Sequence, residues 1–271
     1  MQESDSNINK QHSINTTLTT PPVEGLGEAV LHLADNALIL AQRNAEWCGH
    51  GPILEQDIAI TNISLDLIGQ ARNFYQYAAT LIGDGATEDT LAYFRTEREF
   101  KNCLLLELPD TDWAHTILRQ FFFSTFQYLL YSKLQHSEDA QLAAIAAKAL
   151  KEVTYHLKWS SEWVIRLGDG TEESNTRMKA AVSNLYPYTG EFFIPADYEA
   201  AAAKNNTGVD VAALQQDWNE KVKEIFAEAT LAVPENIFMQ SGGKTGIHTE
   251  HLGYILAELL QLQRTYPGAE W

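Results

Sequence analysis

Residues 152–156, Glu-Val-Thr-Tyr-His, come within one position of a metal-binding pattern. In di-iron four-helix bundles, two helices each carry a Glu-x-x-His pair, whose carboxylate and imidazole lie one turn apart on the same helix face. Here the residue three before His156 is Val153, which has no lone pair to donate, and Glu152 lies four before it. The pattern predicts a helix from the bundle of an oxygen-activating protein whose iron site has been lost.

Apolar residues recur at helical spacing along almost the whole chain after a polar start. Residues 1–24 are rich in Ser, Thr, Asn and Gln, so they bury too little apolar surface to offset the entropy lost on ordering. We predict a flexible tail over residues 1–24 and one helical domain over residues 25–271. No segment alternates with a period of two, so no strands are expected.

Four long helices joined by short turns are predicted, and this order favours an all-α fold built on an antiparallel four-helix bundle. Asp110 or Thr111 is expected to cap the third long helix. A shorter helix is expected over residues 88–106, and additional C-terminal helices are expected to pack on the bundle. The long helices are predicted over 26–48, 53–82, 110–134 and 138–167, and weaker ones near 172–186, 196–205 and 211–230. A last amphipathic helix is predicted to carry residues 252–260.

Composition narrows the class of protein. The chain has 271 residues, of which 45% are apolar and 20% charged, as in ordinary globular proteins. Its net charge of −17 and its lack of a Lys/Arg cluster argue against nucleic-acid binding. The apolar runs are too short to cross a bilayer, and the N-terminus lacks a secretory signal pattern. Cys48 and Cys103 are expected to be buried free thiols of a cytoplasmic protein, with a disulfide as the alternative.

Five stretches, taken in order, carry a resemblance to one protein family. They are residues 46–50 (EWCGH), 65–74 (LDLIGQARNF), 148–152 (KALKE), 155–157 (YHL) and 242–253 (GGKTGIHTEHLG). Together they resemble the C subunits of phenylacetyl-CoA epoxidases, and the similarity spans about residues 29–271. Each motif is modest evidence, whereas five in the right order are strong evidence.

The resemblance implies a ferritin-like bundle that works inside a multicomponent monooxygenase. In that family's enzyme, the ring of phenylacetyl-CoA is epoxidised with O2 and with reducing equivalents from NADPH. An A subunit holds the di-iron centre, a reductase delivers electrons, and the complex also contains a small B subunit. The C subunit pairs with A as a structural and regulatory partner, so the resemblance implies no catalytic residue, cofactor or metal in the present chain.

The same kinship indicates which positions correspond to iron ligands of the catalytic subunit. Two of those positions keep a ligand side chain and four do not, and one carboxylate with one imidazole cannot neutralise and hold two irons. We therefore expect a degenerate site without a working di-iron centre. The six positions hold Glu46, Leu67, Gln70, Ser124, Val153 and His156.

The two surviving ligand types also have structural interpretations. His156 is expected to be a core histidine that is hydrogen-bonded to Glu46 or to Asp66 across the bundle, because a buried ionisable group needs a partner. Glu46 is likewise expected to form a structural ion pair. Both interpretations agree with a chain that supports a catalyst without being one.

Three further polar motifs are expected to be structural. Ser241-Gly242-Gly243-Lys244 lacks the spacing of a phosphate-binding loop, although a contact with CoA phosphates or a partner subunit stays open. In the stretch His248 to His251, Thr249 is expected to cap the last helix. His50 is expected to be a turn residue rather than a base.

One aromatic run points towards a partner. Phe121, Phe122, Phe123 and Phe126 cover more of their helix than a single core stripe requires, so part of this surface is expected to contact the A subunit. Two alternative functions stay open at this point. One is an autonomous di-iron oxidase or hydroxylase with an unrecognised ligand set, and the other is a ferritin-like storage protein.

Overall fold

The structure is a computed structural model, and it describes residues 23–266 and residue 269. Every regular element in that range is a helix or a helical turn, and none of these residues forms a strand. The all-α prediction is confirmed. The predicted polar tail, residues 1–24, lies outside the described residues except for Val23 and Glu24.

The predicted long helices are found to within about three residues at each end. Among the helices of residues 23–266, none is long and apolar enough to span a bilayer. The α-helices are α1 (Leu26–Ala45), α2 (Leu54–Ile82), α3 (Glu88–Tyr93), α4 (Trp113–Leu134), α5 (Ala140–Gly168), α6 (Glu172–Leu185), α7 (Asp197–Lys204), α8 (Gln215–Glu228) and α9 (Glu250–Thr265), and 3-10 turns cover Glu97–Glu99, Leu104–Glu107, Tyr186–Tyr188, Gly190–Phe193, Val211–Leu214 and Gly243–Thr245.

The four long helices form two hairpins, α1 with α2 and α4 with α5, around one hydrophobic core. Side-chain caps set where α4 and α5 begin, because Asp112 and Asp139 each accept a hydrogen bond from a first-turn N–H group. The predicted cap of α4 at residue 110 or 111 is wrong. Asp110 instead accepts hydrogen bonds from the side chains of Thr116 and Arg119.

The predicted helix over residues 88–106 is wrong beyond residue 93, where α3 ends. The chain then runs through two 3-10 turns against the polar side of α1. Asp35 accepts a hydrogen bond from the Lys101 N–H group, and Asn36 accepts one from the Cys103 N–H group, both at 2.8 Å. Because side chains of α1 satisfy these backbone groups, the segment can be buried without forming a helix.

The aromatic face of α4 is covered by the chain itself. Its four phenylalanines are at most 1% exposed, and they pack on aromatic rings from the 190–193 turn and from α8. The Phe126 and Phe192 rings stack with centroids 4.9 Å apart, and the Phe122 ring lies 5.6 Å from that of Trp218. The expected use of this face to contact the A subunit is therefore wrong. The buried residues concerned are Phe121, Phe122, Phe123 and Phe126.

Both cysteines are free thiols, so the disulfide alternative is wrong. Cys103 is buried as expected, whereas Cys48 is exposed, which corrects the prediction of two buried thiols. The reason is that α1 ends at residue 45 and the turn after it projects from the bundle. His50 lies in that turn, where its N–H group donates to the Trp47 carbonyl and its ring contacts the Cys48 carbonyl, as a turn residue does.

Candidate functional site

Five of the six predicted metal positions lie in the core of the bundle. Leu67, Ser124, Val153 and His156 have no exposed surface, and Gln70 is 2% exposed. Steps of three and four residues place these side chains on the inner faces of α2, α4 and α5. Leu67 and Val153 are part of the main hydrophobic cluster, so methyl groups occupy two of the predicted ligand positions.

Two hydrogen bonds join α2 to α5 at this level. The Gln70 amide donates to Glu152 at 2.9 Å, and His156 Nε2 lies 3.0 Å from an Asp66 carboxylate oxygen. The prediction that Asp66 is the partner of His156 is confirmed. The bond from Gln70 shows that Glu152 reaches across to α2.

Glu46 does not join the other five positions. It is the residue after the last turn of α1, its side chain is 42% exposed, and it accepts a hydrogen bond of 2.7 Å from Arg43. The expected ion pair is confirmed with Arg43 as its partner, and the alternative bond from Glu46 to His156 is wrong. The core stripe of α1 runs through Ala37, Ala41 and Asn44, so helical spacing points Glu46 away from the core.

Asn44 and Gln120 are core polar residues that the sequence reasoning missed. The Asn44 amide donates to Gln120 at 2.8 Å, and the Gln120 amide donates in turn to the Ser124 hydroxyl at 2.8 Å. This chain of bonds joins α1 to α4, opposite the bonds that join α2 to α5. The sequence does indicate that Asn44 faces the core, because helical spacing places it one turn after Ala41 on the stripe that begins at Ala37.

The residues at this level do not fit a pair of iron ions. Such a site needs about four carboxylates together with two imidazoles, and here the two carboxylates Asp66 and Glu152 are bonded to His156 and Gln70. Burial raises the pKa of Glu152 by disfavouring its charge, and the hydrogen bond from Gln70 offsets only part of this effect. Within residues 23–266, no three His, Cys, Asp or Glu side chains are grouped so as to hold a metal.

A denser buried polar cluster lies on the other side of α1. Asp35 accepts hydrogen bonds from the Tyr75 hydroxyl at 2.6 Å, from Arg95 at 3.0 Å and from the Lys101 N–H group at 2.8 Å. Asp35 is fully buried and Arg95 is 8% exposed. Burial alone would lower the pKa of Arg95, but the charge of Asp35 and the hydrogen bonds to it outweigh burial and raise it.

The loop Ser241-Gly242-Gly243-Lys244 is held by internal carboxylates. The Lys244 ammonium is 3% exposed and donates to Glu199 at 3.0 Å and to the Phe192 carbonyl at 3.1 Å. Glu191 accepts hydrogen bonds from the N–H groups of Gly242 and Lys244. Internal groups use the donors that Lys244 would offer, which argues against a phosphate contact through this residue.

The stretch from His248 to His251 is structural, as expected. The Thr249 hydroxyl accepts from the His251 N–H group and caps α9. His248 Nδ1 lies 3.1 Å from Glu107, which also accepts from the Thr249 N–H group. Burial alone would lower the pKa of His248, but its hydrogen bond and attraction to Glu107 outweigh burial and raise it.

Comparison with known proteins agrees with this architecture. Residues 12–271 match the family described as phenylacetic acid catabolic protein. Over 241 residues, the chain is 48% identical to the C subunit of 1,2-phenylacetyl-CoA epoxidase from Escherichia coli K12, covering 89% of this chain and 97% of that protein.

A solved structure supports the fold alone. It is a Synechococcus protein with aldehyde deformylating oxidase activity, which is 16% identical to this chain. The match covers 77% of this chain and 88% of that one, with a TM-score of 0.51. The likeness confirms the predicted ferritin-like bundle.

Proposed function

The chain belongs to the phenylacetic acid catabolic protein family, and we propose that it is the C subunit of a phenylacetyl-CoA epoxidase. In this role it is structural and regulatory and performs no catalysis itself. The 48% identity to the corresponding Escherichia coli protein, over nearly the full length of both chains, supports the assignment.

The absence of catalysis is inferred from one observation, the burial of Leu67 and Val153 at positions where the catalytic A subunit is expected to hold iron. Both side chains are 0% exposed, so their methyl groups fill volume that oxygen and nitrogen ligands would need. Hard iron ions are held by carboxylates and imidazoles, which aliphatic groups cannot replace. The bundle therefore supplies a stable shape and a docking surface, while oxygen activation belongs to a partner.

That partner is proposed to be the A subunit, which holds the di-iron centre and the reacting ring. A small B subunit and an NADPH-dependent reductase complete the proposed assembly, which we place in the cytoplasm. The free thiols of Cys48 and Cys103 agree with a reducing compartment. No contact with nucleic acid or with a membrane belongs to the proposal.

Metal analysis of the separated proteins tests this function. The chain and the A subunit, expressed apart, are loaded with ferrous iron, passed over a chelating resin and analysed, and then mixed for an epoxidation assay. We expect tightly held iron in A alone, and faster epoxidation when this chain is added. Two irons per chain retained by the present protein would instead favour the autonomous di-iron oxidase.

A further inference from the structure

Helix α2 carries a second apolar stripe on the side turned away from the core. We call it the outer seam, and it consists of Leu54, Ile58, Thr61, Leu65 and Ile68, of which Thr61 is polar and half-buried. Its four aliphatic side chains are 70%, 50%, 60% and 40% exposed, in that order. Single exposed apolar residues are common on proteins, but a stripe that extends over four turns of one helix marks an interaction surface.

The spacing of the outer seam is that of a helix-packing surface. Its residues follow one another in steps of four, three, four and three, as in the seam of a coiled coil, where each side chain inserts between residues of a second helix. Tyr155 of α5 is 49% exposed and adjoins His156, which bonds α2 through Asp66. Tyr155 therefore adds an exposed aromatic side chain on α5, the helix that packs beside α2, and aromatic residues are enriched in protein interfaces.

Gly69 points to the same surface from a different observation. It lies inside α2, directly after the last residue of the seam, where glycine disfavours a helix relative to alanine. Apart from its two chain neighbours and the backbone of its own helix, no atom of the described residues lies within 4 Å of the point where a Cβ would stand. The packing of this chain gives no reason for a glycine there, whereas the close approach of a second helix does.

The charges of α2 distinguish between possible occupants. Between Leu54 and Ala71 the charged residues of the helix are Glu55, Asp57 and Asp66, and the next charge, Arg72, is paired with Glu88 of α3. A second copy would place like charges opposite one another, in a chain that already has a net charge of −17. A different protein that carries Lys or Arg beside an apolar stripe fits this surface.

We propose that the outer seam is where this chain docks a helix of the catalytic A subunit, an apolar helix flanked by basic residues. The proposal rests on the proposed function, and it replaces the aromatic face of α4 as the contact surface. It requires the A subunit to approach closely at Gly69. It also requires binding to weaken at high salt, because flanking charges contribute to it.

Co-expression with the tagged A subunit tests the seam, with affinity measured by interferometry and mass by light scattering. The variant Leu65→Glu places a charge in the seam. Leu262→Glu is the matched control, because Leu262 lies on α9 and is 58% exposed, close to the 60% of Leu65. We expect the seam variant to bind at least about 30-fold more weakly, as expected for an interface hot spot, and the control to bind like the wild type.

Gly69→Gln is the second variant, and it separates docking from folding. A helix-forming residue in open space should leave the thermal midpoint of the free chain unchanged or raise it by a few degrees, while its bulk weakens binding to A. If the wild type binds A and both seam variants bind as tightly, the seam proposal is overturned and the proposed function stands. If the wild type does not bind A, the seam proposal and the proposed function are both wrong. A homodimer that Leu65→Glu dissociates, with A binding intact, would also overturn the proposal.

Discussion

Two buried contacts of this protein use polar side chains in different ways. Between α2 and α5, the polar groups form single hydrogen bonds, and Gln70 Oε1 and His156 Nδ1 have no partner within residues 23–266. Between α1 and the chain that follows α3, the Asp35 carboxylate accepts from three different residues. The first contact is sparse and the second is dense.

The difference follows from what the backbone requires. Residues inside α2 and α5 satisfy their own N–H and C=O groups, so side chains there are free to be aliphatic. The non-helical chain after α3 has no such internal pairing, so side chains of α1 must bind it. Dense buried charge in this molecule therefore marks a place where irregular backbone is anchored, and it is poor evidence for catalysis.

The largest expected effect comes from breaking the dense contact. Asp35→Asn removes the charge that pairs with buried Arg95, and it should lower the free energy of unfolding by about 3–5 kcal/mol. Urea unfolding followed by circular dichroism measures this loss. Glu88→Gln is the control, because its pair with Arg72 is exposed and is worth about 0–1 kcal/mol. Equal effects of the two variants would contradict the anchoring role.

A smaller effect is expected from the sparse contact. Gln70→Leu removes a buried amide whose Oε1 atom has no partner, and water can replace the lost donor to partly exposed Glu152. The free energy of unfolding should change by no more than about 1 kcal/mol. The same urea experiment measures this change. A loss of free energy of unfolding comparable to that of Asp35→Asn would show that the two contacts contribute equally to stability.

The smallest effect concerns the charge of Glu152. Because its pKa is raised in the folded protein, its contribution to stability is complete below its ordinary pKa of 4.5 and is lost as pH rises through the raised value. Glu152→Gln imitates the protonated form and keeps an acceptor for Gln70. The variant should melt slightly above the wild type at pH 7, and the difference should vanish below pH 4.5. Melting temperatures of the variant and the wild type, measured between pH 4.5 and pH 7, test this expectation. If the variant is not more stable than the wild type at any pH in that range, the pKa of Glu152 is not raised.

The candidate site was predictable in part. The failed Glu-x-x-His pattern at Val153 and His156 and the absent ligands at Leu67 and Gln70 are legible in the sequence, because helical spacing fixes which side chains share a face. The same spacing, applied to α1, would have selected Asn44 in place of Glu46. Glu46 matches the family motif, but the apolar stripe of α1 passes through Asn44 instead.

Local sequence was enough to fix the helical class, the four long helices and the start of the last helix at its Thr249 cap, since these depend on neighbours three or four residues apart. Long-range packing decided that residues 94–108 are not one helix, that α8 covers the phenylalanines of α4, and that Lys244 turns inward to Glu199. These outcomes depend on groups far apart in the chain. The identity of a polar side chain does not reveal which distant group will form its hydrogen bond, and the identity of an aromatic side chain does not reveal which distant residues will bury it.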